Sequence, residues 1–158
     1  MSVMAVLSAD GLGLPAPADG WPDWVTTAHY VGAAHPLAGK LPRLIGGANC
    51  QRYAYSVLGL FDRWVPEVRS SELWSAPLIH PDPSHAEPLD LALFNDTPAA
   101  WGAHIAVVTR IGLLHLCAEE GRPALWGWAD FSSRQRYARL VGLVRPTRSE
   151  PVDGRAAS

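Results

Sequence analysis

Helices early in the chain and strands later predict an α+β domain, its N-terminal helices packed on a mainly antiparallel sheet. Three observations carry this. The stretch from Cys50 to Phe61 keeps one apolar face at helical spacing. Three later runs are apolar over strand lengths, and two of them are joined tightly enough to form a hairpin.

Taken in order, residues 1–20 mix Gly, Pro, Ala and Asp and read as an irregular N-terminal arm, loosely held or wrapped on the domain. Residues 21–146 form a single domain, and residues 147–158 a flexible tail. A short helix is expected from Asp23 to Tyr30 with Asp23 as its N-cap. Residues 31–48 are loop. In the next helix Cys50, Tyr53, Ala54, Val57, Leu58 and Phe61 share a face. Asn49 stands where an N-cap belongs, and Gly46-Gly47 lets the chain turn sharply before it. Gly59 and Asp62 weaken the far end. After Pro66, Ser70 or Ser71 caps a short turn through Trp74, and the proline-rich stretch from Ala76 to Pro88 is a surface loop.

Strands follow at Leu89–Phe94, Ala103–Thr109 and Leu113–Ala118, the last two joined through Arg110, Ile111 and Gly112. A helix from Asp130 to Tyr137 and a strand from Leu140 to Arg145 close the domain. Strand–helix alternation is missing, and no glycine-rich phosphate loop precedes a helix, so a Rossmann architecture is excluded.

With 158 residues, 48% of them apolar, the chain has material for one real core. A net charge of −2 gives no electrostatic basis for binding nucleic acid. Two cysteines, Cys50 and Cys117, are too few for a disulfide scaffold and fit free thiols in a reducing compartment. The first residues lack the basic start of a signal peptide, and no apolar run is long enough for a membrane helix. A cytoplasmic protein without membrane partners is therefore expected, export by a dedicated machine being the alternative. His80, His85 and Asp82 share a loop without ordered ligand spacing, so neither a metal nor an organic cofactor is expected.

The chemistry centres on Cys50. A thiol in the first turn of a helix meets unpaired N–H groups and the positive end of the dipole, which favour its thiolate and are expected to depress its pKa. His104 sits inside an otherwise apolar strand. A two-residue hairpin loop at Arg110-Ile111 sets His104 opposite Cys117 and diagonal to His115; a loop at Thr109-Arg110 sets the two histidines face to face. Either register puts both imidazoles on one face, the makings of a nucleophile, a base and an orienting group. Asn49, Gln51, Trp101 and Trp126 are the candidate substrate-binding residues.

These residues, in this order, resemble the NlpC-type branch of the papain-like cysteine peptidases. The resemblance rests on Gly46-Gly47-Ala48-Asn49-Cys50, on Pro88-Leu89-Asp90-Leu91-Ala92-Leu93-Phe94 after a proline-rich loop, on His104-Ile105-Ala106-Val107-Val108 and on Leu113-Leu114-His115. It extends through the closing segment from Phe131 to Arg145-Pro146 and spans roughly residues 30–146. Asn49 stands where the family usually has Asp, Gln51-Arg52 where it has Ser-Gly, and Leu89 where it has Gly. The resemblance implies a papain-like fold and a Cys50–His104–His115 triad. The implied activity is hydrolysis of peptide or isopeptide bonds in cell-wall-type peptides, the substrate being a small peptide or acyl amide. An acyltransferase or amide-forming enzyme using the same residues, and a non-catalytic binding module, are the alternatives.

Overall fold

The structure is a computed structural model that describes residues 7–32 and 49–148. It combines short helices with one five-stranded sheet in which every neighbouring pair is antiparallel. The helices are α1 (Trp24–Thr27), α2 (Cys50–Gly59), α3 (Ser70–Ser75) and α4 (Trp128–Ser132). The strands are β1 (Leu91–Asn95), β2 (His104–Val108), β3 (Leu113–Leu116), β4 (Pro123–Trp126) and β5 (Arg139–Val144), in the spatial order β4-β3-β2-β1-β5. The α+β expectation holds at this level. No helix among the described residues is long and apolar enough to cross a membrane.

Both faces of the sheet are covered. On one, Tyr53, Ala54, Val57 and Leu58 of α2 pack with Leu93, Ile105, Val107, Leu114 and Leu116. Full burial of one such large apolar side chain contributes about 1.5–3 kcal/mol. On the other, Phe94, Ala106, Val108, Leu113 and Cys117 meet Trp126, Phe131 and Tyr137. Alternation along β2 and β3 puts His104 and His115 on this second, aromatic face.

Several sequence boundaries shift. The first helix ends at Thr27 rather than Tyr30, and Asp23 caps it through its carbonyl, which accepts from the Thr26 and Thr27 hydroxyls. The segment from Asp130 to Tyr137 divides into α4, which starts at Trp128, and a 3₁₀ turn at Gln135–Tyr137. Strand β4 was not expected; it is short and opens on a proline, which an edge strand tolerates. Residues 7–20 of the N-terminal arm wrap on the domain: Leu12 is fully buried, and Gly13 O accepts from Arg110 N–H at 3.0 Å. Thr147, just after the domain, exchanges two backbone hydrogen bonds with Trp64. The Gly46-Gly47 turn lies outside the described residues.

Asp90 has a structural task. Its buried carboxylate accepts from Arg145 Nε at 2.8 Å and Nη2 at 2.9 Å, and from Glu87 N–H at 2.8 Å, pinning the start of β1 to the residue after β5. Leu89 before it has φ of 77°, the left-handed region that favours glycine. A leucine held there costs on the order of 1–3 kcal/mol, offset in part by burying its side chain against the α2 face.

Gly142 in β5 is needed for space, because a Cβ there would run into the six-membered ring of Trp74. Trp74 itself lies against His80, the ring centroids 4.0 Å apart and the planes tilted by 40°, and His80 Nδ1 bonds Leu143 O. Gly142→Ala is expected to destabilise the fold by about 1–3 kcal/mol through this overpacking. Urea unfolding would measure it, and an unchanged midpoint would show that Trp74 has room to move.

Candidate active site

A cleft of about 500 Å³ opens at the end of the sheet where β1 finishes and β2 begins. Cys50, Gln51, Tyr30 and Ser70 line it from the α2 side, and His104, Phe94, Arg136 and Tyr137 from the aromatic side. The body of α2 covers the face opposite the imidazoles. Cys50 and His104 meet in one cleft because each is the first residue of its element.

The helix start is built as its sequence predicts. Asn49 Oδ1 accepts the Arg52 N–H at 2.9 Å, and Asn49 O accepts from Tyr53 N–H at 3.1 Å. The N–H groups of Cys50 and Gln51 are left outside the helix ladder and lie close enough to the Cys50 sulfur to lower its pKa, as does the N–H of Ile105. Asn49 lines the cleft, but its side-chain oxygen is committed to the cap.

His104 is 6% exposed and His115 fully buried. His104 Nε2 and His115 Nδ1 are 2.8 Å apart, with the rings nearly perpendicular. The observed register, Val107 opposite Leu114 and Val108 opposite Leu113, places the loop at Arg110-Ile111, the first of the two arrangements weighed above. His104 is thus diagonal to His115, and its remaining nitrogen, Nδ1, is the one left for the cleft.

Burial dominates the electrostatics. It pushes the Cys50 thiol up, against the lowering effect of the Ile105 N–H, the Arg136 charge and the helix-start N–H groups. Burial, with Arg136 adding to it, takes His104 down to about 3. His115 is held well below its ordinary value by burial, then by His104 and Arg134. The resting cleft therefore holds a neutral thiol and a neutral imidazole. This corrects the expectation of a depressed thiol pKa: the helix-start groups act in the expected direction, but desolvation outweighs them.

Access still separates the two thiols. Cys50 keeps surface in the cleft, whereas Cys117 is fully buried and pushed up to about 11. Iodoacetamide is expected to modify Cys50 well before Cys117. The rate should rise about tenfold per pH unit from 7 to 8, with no plateau near neutrality, because the thiolate is the reactive species. Peptide mapping by mass spectrometry checks both points; equal labelling or a neutral plateau would contradict this description.

The remaining candidates divide. Gln51 lines the cleft, 4% exposed, and its buried Oε1 has no hydrogen-bond partner among the described residues. Trp101 stands at the rim with 80% of its surface exposed, an open indole platform. Trp126 does not reach the cleft. It packs on His115 and donates its Nε1–H to Glu120 Oε2 at 3.1 Å, so its expected place on the substrate groove is corrected to a support of the imidazole pair. Among the described residues no group of three or more His, Cys, Asp or Glu side chains is placed to hold a metal ion.

Tyr30 and Arg136 were missed. Tyr30 lies close enough for the Cys50 charge to raise its pKa, and Arg136 lies close enough to lower that of Cys50. Arg136 also pairs with Glu119 at 3.6 Å, and Glu119 accepts the Tyr137 hydroxyl at 2.7 Å. No spacing signal marks either residue, since both are carried to the cleft by irregular segments.

Fold and site together define a mixed α+β domain with a helix-opening cysteine and a bonded histidine pair at one cleft. No family model, no curated protein and no solved structure matches the chain.

Proposed function

We propose that the chain is a cysteine-dependent hydrolase of peptide or isopeptide bonds, an NlpC-like member of the papain-like peptidases that acts on cell-wall-type peptides through a thioester on Cys50. The observation that carries this reading is the cleft itself. It holds a thiol at a helix N-terminus together with an imidazole whose far nitrogen is bonded to a second imidazole at 2.8 Å.

In the proposed reaction, His104 Nδ1 takes the proton of the Cys50 thiol as the sulfur attacks the amide carbonyl carbon. The oxyanion is held by the N–H groups of Cys50 and Gln51, which the Asn49 cap leaves uncommitted. Collapse breaks the C–N bond, and His104 gives its proton to the departing amine. Water, deprotonated by His104, then attacks the thioester, releasing the carboxylic acid and restoring Cys50. Because the resting pair is neutral, proton transfer accompanies attack instead of preceding it.

Incubation with short peptide amides, an acid quench and mass spectrometry of the Cys50 peptide test the reading. A mass increase equal to the acyl group on Cys50 is expected, and product mass shows whether water or an added amine receives that group. An acyl group found on another residue, or turnover with no adduct and undiminished by Cys50→Ala, would overturn it.

A further inference from the structure

The loop between β1 and β2 uses its polar groups to hold one large side chain in the open. Asn95 Nδ2 donates to Ala99 O at 2.8 Å and to Trp101 O at 3.0 Å. Ser70 Oγ, at the start of α3, donates to Ala100 O at 2.7 Å and accepts the Ala103 N–H at 3.2 Å. Gly102 completes the turn with φ of 73°, in the left-handed region. The backbone around Trp101 is thus tied from two sides, yet the residue is left 80% exposed at the cleft rim. At that exposure a ring face is open whatever the tilt of the indole.

We propose that Trp101, with Arg69, Ser71 and Glu72 beside it, is a sugar subsite. It takes a neutral pyranose ring carried by the substrate, a few residues from the bond that Cys50 attacks. The place of that sugar in a reaction at Cys50 rests on the proposed function; its binding does not.

The chain itself brings these groups together. Arg69 and Ser71 flank Ser70, Glu72 is one residue further, and Trp101 follows Ala100, so all four lie within two residues of the 2.7 Å contact between Ser70 and Ala100. All four line the cleft. Among the described residues no hydrogen bond or ion pair commits the side chains of Arg69, Ser71 or Glu72, unlike those of Asn95 and Ser70. Trp101 stands three residues before His104, a chain span of at most about 11 Å.

The neighbours of the indole select its occupant. A pyranose ring turns C–H bonds from one face toward the negative face of an indole, and its rim of hydroxyls both donates and accepts. Arg69 supplies donors, Glu72 acceptors and Ser71 either. A flat aromatic side chain would cover the same indole but strip water from these three groups and give them no partner. A cationic group would meet Arg69 and an anionic one Glu72, so opposite charges on one rim favour a neutral ligand.

Calorimetric titration of Cys50→Ala tests binding without turnover. Three ligands share one short peptide amide and differ only at its N-terminus, which carries an acetyl group, N-acetylglucosamine joined through an acyl linker, or a phenylacetyl group. The sugar conjugate is expected to bind about tenfold tighter than the acetyl peptide, and the phenylacetyl peptide less than threefold tighter. Adding Trp101→Ala should cut the sugar's gain to within about twofold, with circular dichroism confirming the fold. Trp101→Phe should keep at least about threefold, and Glu72→Gln should lower the gain about threefold. No gain from the sugar, a gain that survives Trp101→Ala, or a phenylacetyl peptide that binds as tightly as the sugar conjugate would each overturn the subsite. A full sugar gain lost in Trp101→Ala, with no acyl adduct on Cys50 of the parent protein, would establish the subsite and overturn the hydrolase reading instead.

Discussion

Cys50→Ala is expected to remove amide turnover entirely while leaving the fold intact. Alanine is smaller than cysteine, and the cap that holds the helix start runs through Asn49 and the Arg52 N–H rather than through the sulfur. Without the sulfur no thioester forms, and the remaining groups have no covalent route to offer. His104→Ala should lose roughly 10²–10⁴ in rate, the range expected when one group serves as both general base and general acid. His115→Ala should be milder, because the base survives and only its orientation is freed. His115→Asn should be milder again, since Asn Oδ1 can accept the His104 Nε2–H.

The double variant Cys50→Ala with His104→Ala separates a working unit from two independent contributors. Groups that act in one step are strongly non-additive, so it should be no slower than Cys50→Ala alone. Steady-state rates on a peptide amide, with circular dichroism to confirm folding, supply the measurement. A folded Cys50→Ala protein that keeps its rate would leave the cleft a binding site.

The parts of this arrangement legible in the sequence are those governed by local rules. The α2 start follows from Asn49 and the spacing of Tyr53, Ala54, Val57 and Leu58, and the structure begins that helix at Cys50. Either two-residue loop gives His104 and His115 a shared face, while the choice between the two registers shows only in the pairing of Val107 with Leu114. What local rules miss is what tertiary contact decides. Trp126 reads as a groove residue until β4 is seen beside β3, with Ala124 opposite His115. Tyr30 reaches the cleft from the segment after α1 and Arg136 from the 3₁₀ turn at Gln135–Tyr137, and no periodicity encodes the course of either. The thiol pKa was misjudged because helix position is visible in sequence and desolvation is not.

Lowering the pH below about 6.5 is expected to destabilise the protein steeply, and the buried histidine pair is the reason. Both imidazoles have folded pKa values depressed by burial, His104 to about 3 and His115 well below its ordinary value. In the unfolded chain each titrates near 6.5. Above that pH both states are neutral and the pair contributes no pH dependence. As the pH falls through 6.5 the unfolded chain binds protons that the folded one refuses, so stability drops by up to about 1.4 kcal/mol per pH unit for each histidine. For His104 the loss continues until the pH reaches about 3. From pH 6.5 to 4.5 His104 alone can remove up to about 2.5 kcal/mol, and His115 acts in the same direction, against the 5–15 kcal/mol typical of a domain. Carboxylates add their own acid dependence, so the informative comparison is with His104→Gln. That variant should lose close to one proton from the slope of unfolding free energy against pH between 6 and 4.5, measured by urea titration. The same slope in His104→Gln and the parent would mean that His104 is protonated as readily in the folded chain as in the unfolded one. An imidazole buried enough to stay neutral at every physiological pH is held there at the expense of acid stability, a cost consistent with the role proposed for His104.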